Sequence, residues 1–216
     1  MTPNKEDYLK CIYEIGTDMQ KITNKEIAAR MQVSPPAVTE MIKRMKSENL
    51  ILKDKENGYL LTDIGLKLVS ELYRKHRLIE VFLVHHLDYT SDQIHEEAEV
   101  LEHTVSDLFV KRLDKLLGFP QTCPHGGTIP AEGELLVEIN KLSLAAVQEA
   151  GTYLLTRVHD SFELLKYLEK HAIHIGDQLQ VKQFDGFSNS FTLVNKNEDL
   201  QVSMDIAKQL YVEKIN

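Results

Sequence analysis

The chain has 216 residues, of which 43% are hydrophobic and 27% charged, and its formal net charge is -8. This length can form one large domain or two to three small ones with cores of their own. The composition is typical of an ordinary soluble protein, and the acidic balance argues against an indiscriminate nucleic-acid coat protein. The sequence has no apolar stretch long enough to cross a bilayer, and its start lacks the apolar core of a signal peptide. We therefore expect a cytoplasmic protein with no membrane partner.

The charge is unevenly distributed along the chain. The first 70 residues carry 11 Lys and Arg against 10 Asp and Glu, whereas the remaining residues carry 14 against 23. A DNA-binding role, if the protein has one, is therefore expected at the N-terminal end. The two cysteines, Cys11 and Cys123, lie far apart, and a disulfide between them is not expected in a reducing compartment.

Three helices are predicted at the N-terminal end. Apolar residues at helical spacing indicate a first helix over residues 4–18. Thr23, followed three residues later by a glutamate, forms a capping box that predicts a short helix over residues 24–31. Ser34, followed by a proline, predicts that a further helix begins there and continues over residues 35–49. Two short helices joined by a tight turn, the second with an exposed polar face, are typical of a helix-turn-helix.

A β-hairpin is predicted directly after these helices. The short apolar segments 50–53 and 59–62 flank a polar segment that ends in Asn57-Gly58, and Asn-Gly strongly favours a hairpin turn. Helix, turn, helix and hairpin follow one another in the order of a winged helix. This order favours a winged-helix domain over the alternative, a generic small helical domain with a hairpin attached.

The candidate DNA contacts are the exposed polar positions of the second short helix and of the hairpin. A recognition helix contacts base edges with its N-terminal residues, while its later basic residues and the wing meet phosphates. The alternative for each basic residue is a role in solubility, which is the better explanation for Lys46. The predicted base contacts are Ser34, Pro36 and Thr39, and the predicted phosphate contacts are Lys43, Arg44, Lys53 and Lys55.

Two long helices are predicted after the hairpin. The first, capped by Thr62, covers residues 63–87, and the second begins at Thr90 or Ser91 and continues without a break to Leu117. Both helices are too apolar to stand alone, so a helical bundle or a dimer interface is needed to cover them. A linker rich in proline and glycine follows the second helix.

The C-terminal part is predicted to be rich in β-structure. A small barrel or sandwich is the expected architecture. The predicted strands cover residues 151–160, 178–184, 190–194 and 200–202, and a short helix covers residues 162–170.

Imidazole and carboxylate side chains recur at one-turn spacing on the two long helices. His95, Glu99, Glu102 and His103 lie on the second helix, and His76 and Glu80 lie on the first. The four on the second helix project within an arc of roughly 100°, so they share one face. Such a donor set suits Mn, Fe, Co, Ni or Zn. A merely solvated acidic face is the alternative, but three histidines and three glutamates at turn spacing favour a metal site.

Two other features are weaker signals. Cys123 and His125 bring a thiol and an imidazole together in a proline-containing linker, a combination that is more often an ordinary loop. Asp160, which precedes a predicted helix, could belong to a capping box. The segment from His95 lacks the second histidine of the HExxH zinc-protease motif, and no di-iron motif with a matching copy is present.

Three segments together resemble a known family. They are EDYLKCIYE from Glu6, RKHRLIE from Arg74 and HEEAEVLEH from His95. The chain resembles the diphtheria toxin repressor family of metal-dependent regulators, and within it the three-domain manganese-responsive members. The resemblance is dense over the first two domains and looser over the third. It implies a mainly α fold with a small β domain, divided into a winged-helix DNA-binding domain over residues 1–62, a helical dimerisation and metal-binding domain over residues 63–140, and an SH3-like β-barrel over residues 141–216.

The resemblance also implies two groups of metal ligands. The first would consist of Asp7, His76, Glu99, Glu102 and His103, and the second would consist of Glu80, Cys123, His125 and Asp160, with His95 nearby. The iron-responsive branch typically has Met and Cys where this chain has Asp7 and Glu99, so the oxygen donors favour a harder ion such as Mn²⁺. Fe²⁺, Zn²⁺ and Cd²⁺ are alternatives. Lys10 replaces a glutamate of the smaller manganese regulators, which argues against a close binuclear site of their type.

These expectations combine into a hypothesis of function. A homodimer would bind a palindromic DNA operator and repress metal-uptake genes when metal ties the first helix, through Asp7, to the dimerisation domain. One alternative is a metalloenzyme with its active site in the helical bundle. Another is a metal-independent winged-helix regulator that senses an organic ligand.

Overall fold

The computed structural model describes residues 2–17, 21–90, 93–196 and 198–215. They divide into two compact units. The first contains Met1–Lys75 and Pro130–Leu136, and the second contains His76–Ile129 and Val137–Asn216. Ser91, one of the two residues predicted to begin the second long helix, lies outside the described residues.

The first unit contains the predicted helices and hairpin in the predicted order. Its elements are α1 (Pro3–Thr17), α2 (Asn24–Arg30), α3 (Pro35–Ser47), the antiparallel strands β1 (Ile51–Asp54) and β2 (Gly58–Leu61), and the start of α4 (Asp63–Leu87). The winged-helix prediction is therefore confirmed.

Side-chain hydroxyls cap the helices of this unit where the sequence predicts it. The Thr23 hydroxyl accepts a hydrogen bond from the Glu26 N–H at 3.2 Å, and Ser34 accepts one from the Ala37 N–H at 3.4 Å. The Thr62 hydroxyl accepts one from the Gly65 N–H at 3.2 Å. Each bond satisfies a backbone N–H that has no partner within its own helix, and the chain enters α2, α3 and α4 at these residues.

The core of the first unit is apolar. It is formed by the inward faces of α1, α2 and α3 together with the hairpin, and its most deeply buried members include Leu9, Ile12, Ile15, Ile27, Val38 and Met45. The hairpin is fastened by Ile22, whose N–H donates to the Asn57 carbonyl at 2.9 Å and whose carbonyl accepts from the Tyr59 N–H at 3.1 Å. Gly58 has φ +86°, and a Cβ there would lie 1.9 Å from the Ile22 carbonyl oxygen. Only glycine allows this approach.

The second predicted long helix is two helices. They are α5 (Ile94–Glu102) and α6 (Asp107–Leu116), so the prediction of one continuous helix to Leu117 is wrong. Ser106 caps α6 by accepting a hydrogen bond from the Phe109 N–H at 3.2 Å, so a new helix begins there. The predicted common face survives, because His103 follows α5 with helical angles (φ -83°, ψ -13°).

The C-terminal part is a five-stranded antiparallel sheet with two helices. Its elements are β3 (Gly151–Val158), α7 (Phe162–Lys170), β4 (Gln178–Asp185), β5 (Ser190–Asn195), β6 (Glu198–Ser203), α8 (Met204–Ala207) and β7 (Leu210–Lys214). The strand order is β6-β5-β4-β3-β7. The four predicted strands and the predicted α7 are confirmed, whereas α8 and β7 were not predicted. The predicted small β domain is therefore confirmed; among the described residues its sheet is open, with β6 and β7 at opposite edges, and no closed barrel is found.

No described helix combines the length and the apolar character that a membrane span requires.

Candidate metal centres and DNA-binding surface

The first cluster of metal-ligand side chains, which we call the Asp160 group, consists of His76, Glu80, His95 and Asp160. Each offers one donor atom, and these atoms lie within 4.8 Å of one another. His76 Nε2 is 3.3 Å from Glu80 Oε1 and 3.2 Å from Asp160 Oδ2. His95 Nδ1 is 3.0 Å from Asp160 Oδ1. The one-turn spacing on α4 places His76 and Glu80 side by side, and both are buried.

A second cluster, the Cys123 group, shares Glu80 with the first and adds Cys123 and His125. His125 Nδ1 is 3.1 Å from Glu80 Oε1. The loop that carries the two residues lies against β3, since the His125 carbonyl accepts from the Val158 N–H at 3.0 Å. Gly126 has φ +77°, and a Cβ there would lie 2.0 Å from a β3 carbonyl oxygen. The thiol and the imidazole are thus held in a fixed loop.

Asp160 does not cap a helix. Ser161 is the N-cap of α7 and makes no side-chain capping bond, while the Asp160 carboxylate contacts His76, His95 and His125. The capping alternative suggested by the sequence is therefore wrong. Asp160 lies 84 residues from His76 along the chain, so local spacing gives no sign of this contact and only the family resemblance predicted it.

The third cluster, the Glu102 group, consists of Glu99, Glu102 and His103, whose donor atoms also lie within 4.8 Å of one another. Glu102 is buried, and its Oε2 lies 2.5 Å from His76 Nδ1 while its Oε1 lies 3.5 Å from His103 Nε2. His76 therefore contacts the Glu102 group through Nδ1 and the Asp160 group through Nε2. Asp7 lies on α1 in the first unit and is half-buried.

Histidine side chains stabilise the buried carboxylates of these groups. Burial and the neighbouring Asp160 act to raise the pKa of Glu80, but His76 and His125 outweigh them and keep it below its usual value. Burial acts against the charged form of His125, yet the Glu80 carboxylate raises the pKa of that imidazole to about 11. Burial raises the pKa of the Cys123 thiol to about 11. The cluster therefore gathers negative charge that the protonated His125 offsets, and a cation could take the place of that proton.

Unsatisfied polar atoms indicate that these residues fit a metal ion. Within the part of the chain that the structure describes, Glu80 Oε2 and His125 Nε2 are buried and have no hydrogen-bond partner. His95 Nδ1 and Asp160 Oδ1 lie 3.0 Å apart. Buried polar atoms are almost always paired, so these unpaired atoms of a carboxylate and an imidazole are consistent with ligands to a divalent cation, which would displace a proton from His125 on binding.

The candidate DNA contacts are exposed residues of the first unit. Ser34, Pro36, Thr39, Lys43, Arg44, Lys53 and Lys55 are all exposed. The opposite face of α3, formed by Val38, Ile42 and Met45, is buried in the core. The Thr39 hydroxyl donates to the Pro35 carbonyl at 3.0 Å and accepts from Asn24 Nδ2 at 3.0 Å.

Comparison with known proteins identifies the family. The model described as the iron dependent repressor N-terminal DNA binding domain matches residues 1–59, the model of the metal binding and dimerisation domain of the same repressors matches residues 62–131, and the FeoA domain matches residues 142–214. The diphtheria toxin repressor of Corynebacterium diphtheriae is 26% identical, with 97% of this chain and 96% of that protein covered.

Solved structures are more similar still. The manganese regulator SloR is 59% identical with a TM-score of 0.91, and 100% of both chains is covered. ScaR with bound Zn²⁺ is 64% identical with a TM-score of 0.94, and 98% of this chain and 99% of that chain are covered. The chain belongs to the iron dependent repressor family of metal-dependent transcriptional repressors.

Proposed function

We propose that this protein is a manganese-dependent repressor that binds a palindromic operator as a homodimer and controls metal-uptake genes in the cytoplasm. The observation that carries the proposal is the cluster of buried histidine and carboxylate side chains around Glu80 in a chain that also has a winged helix. A role in DNA-binding regulation requires no catalytic step. This is the reason to prefer it to a metalloenzyme.

The donor set supports Mn²⁺ as the effector. The Glu102 group offers carboxylate oxygens and one imidazole, and the Asp160 group offers two of each, which are the ligands that manganese accepts. One similar structure is described as a manganese regulator and another as a manganese-activated repressor. ScaR has also been solved with Zn²⁺ and with Cd²⁺. Cys123 in this chain would suit these softer ions, so we keep Fe²⁺, Zn²⁺ and Cd²⁺ as alternatives to Mn²⁺.

The switch is proposed to act through α1. When bound, a divalent cation would supply the positive charge that holds several carboxylates together. Following the family resemblance, we propose that Asp7 on α1 joins the Glu102 group as a ligand. Asp7 would then restrain the winged helix, so that both recognition helices of a dimer keep the spacing of two operator half-sites. The effector works only if it favours this restrained state over the others.

Exposed apolar residues support a dimer. Leu108, Phe109 and Leu116 on α6 are 45 to 62% exposed, and Val100 on α5 is 65% exposed. Large exposed apolar side chains on neighbouring helices are typical of protein–protein interfaces. A twofold dimer would present two copies of α3, with half-sites about one DNA turn apart or a multiple of that distance.

Operator binding in Mn²⁺ and in a chelator tests the proposal. We expect strong binding only with Mn²⁺, and we expect Asp7→Ala and Glu99→Ala to abolish most of the Mn²⁺ effect. Glu96→Ala is the matched control, because Glu96 is an exposed glutamate of the same helix outside all three groups. Equal operator binding with and without metal would refute metal control, and a normal response of Asp7→Ala or Glu99→Ala would refute the ligand assignment.

A further inference from the structure

Arg77 follows the candidate ligand His76 on α4 and makes a buried ion pair that no metal-ligand pattern explains. Its side chain is largely buried, and one guanidinium nitrogen donates to Glu138 Oε1 at 2.6 Å. Another donates to the Thr128 carbonyl. Glu138 Oε2 accepts from the Thr128 N–H at 3.0 Å. Arg77, Glu138 and the backbone of Thr128 thus form a closed ring of hydrogen bonds, which we call the Arg77–Glu138 clamp.

The clamp closes on the loop that carries Cys123 and His125. The two ends of the loop are paired as in a hairpin. The Cys123 N–H donates to the Gly127 carbonyl at 2.9 Å, and Thr122 pairs with Thr128. A Cβ at Gly127 would lie 2.7 Å from the Arg77 guanidinium carbon. The guanidinium therefore lies directly against the loop backbone, and a side chain at this position would push it away.

Glu138 is itself held from its other side. Arg157 Nη1 on β3 lies 3.9 Å from Glu138 Oε1. The same guanidinium donates to the Asn140 carbonyl at 3.0 Å, and its carbon lies 3.4 Å from the centroid of the Tyr211 ring. The neighbouring Ile139 N–H donates to the Thr128 hydroxyl at 3.0 Å. Burial acts to raise the pKa of Glu138, but the charge of Arg77 and the Thr128 N–H keep it below its usual value. The carboxylate is therefore charged and fixed.

From this geometry we infer that Arg77 and Glu138 are positioning residues for metal binding by the Cys123 group. Neither side chain is a proposed ligand. The clamp fixes the loop, and the loop fixes the thiol and the imidazole opposite Glu80. The inference rests on the proposed function, because it requires the Cys123 group to bind metal. Supporting residues of this kind typically change metal affinity by about 10- to 100-fold, since a buried ion pair that loses one partner leaves the other charge unpaired.

A cadmium titration of the full-length protein tests the inference. Cd²⁺ bound by the Cys123 thiolate gives an ultraviolet charge-transfer absorbance, and Cys123→Ser defines the signal without that ligand. In Glu138→Gln we expect this absorbance to saturate at a free Cd²⁺ concentration about tenfold or more above that of the wild type. Glu149→Gln is the matched control. Its carboxylate pairs with Lys214 at 2.5 Å on an exposed surface, away from the clamp, and its titration is expected to match the wild type.

The outcomes separate the inference from the proposed function. A Glu138→Gln titration that coincides with the wild type would overturn the positioning role while leaving metal binding by Cys123 intact. A wild-type protein without the thiolate absorbance would overturn both the positioning role and metal binding by Cys123. The proposed function would still be tested separately, by operator binding in Mn²⁺ and in a chelator. If Glu138→Gln does not fold, Glu138→Asp keeps the charge and shortens the side chain, and we expect it to weaken Cd²⁺ binding while the unfolding midpoint stays close to the wild type. An unchanged Cd²⁺ affinity in that variant would equally contradict the role.

Discussion

The core beneath the winged helix and the interior around Glu80 are equally well buried but chemically opposite. Leu9, Ile12 and Ile15 are at most 1% exposed in an entirely apolar setting. His76 and Glu80 are at most 2% exposed in a setting of charged and polar groups. Burial of apolar surface stabilises a fold by about 25 cal/mol per Å², whereas burial of charge is unfavourable unless every charge is paired. The difference teaches that the first interior serves folding and the second serves binding.

The largest expected effect is the loss of stability caused by a cavity in the apolar core. Leu9→Ala should lower the free energy of unfolding of the winged-helix unit by about 3 kcal/mol, because it leaves a cavity in a packed core. Urea unfolding measures this loss. Leu52→Ala, at an exposed position of the same unit, should change it by no more than about 0.5 kcal/mol. Similar losses for the two variants would contradict the assignment of the core.

The next largest effect is a loss of metal affinity when a ligand of the polar interior is removed. Glu80→Gln removes the carboxylate that the Asp160 and Cys123 groups share. The affinity for metal at these groups should fall by about 100-fold, or about 2.7 kcal/mol, because the ligand charge disappears. Calorimetric titration with Mn²⁺ checks the loss, with the exposed Glu97→Gln of α5 as the control. Wild-type affinity in Glu80→Gln would mean that this interior is not a metal centre.

A smaller effect concerns the outer surface of the winged helix. Lys43→Ala should weaken operator binding by a similar factor for every DNA sequence and reduce the slope of log affinity against log salt by about 1, because one phosphate contact is lost. Thr39→Ala, at a predicted base contact, should instead change the preference among operator sequences. Anisotropy titrations at several salt concentrations separate the two behaviours. A Lys43→Ala slope equal to that of the wild type would remove it from the DNA contacts.

The smallest effect is a pH dependence of stability at the clamp. The pKa of Glu138 is lowered in the folded protein, so its stabilisation is complete above its unfolded value of about 4.5 and is lost as the pH falls through the folded value. In the presence of chelator, the wild type should be more stable than Glu138→Gln near neutral pH, and the difference should shrink on acidification. A difference that stays constant down to the acid limit would show that the carboxylate charge contributes nothing.

Local signals in the sequence were sufficient to predict the first unit. The hydroxyl at Thr23, Ser34 or Thr62 caps a helix by contacts within four residues, and Asn57-Gly58 marks the hairpin in the same way. The stripe from His95 to His103 was predicted because one helical turn brings its members together. These interactions join residues that are close together in the sequence, so the spacing of residue types is enough to predict them.

Long-range contacts were harder to predict. Arg77 and Glu138 are 61 residues apart, and no local spacing links the two. Asp160 was assigned to its histidines by family resemblance alone, because its local sequence equally suited a helix cap. The break after His103 was missed because the apolar spacing continues into α6, although Ser106 is a cap of the same kind as Ser34. The edge strand β7 was missed because its pairing partner β3 lies more than 50 residues earlier.

The most direct test of the switch is the affinity for Mn²⁺ measured with and without operator DNA. If metal favours the DNA-binding state, then operator must favour metal binding by the same factor, since the two ligands share one coupling free energy. We predict that saturating operator raises the Mn²⁺ affinity of the wild type by the factor by which Mn²⁺ raises its operator affinity. The same Mn²⁺ affinity in the presence and absence of operator would contradict the account.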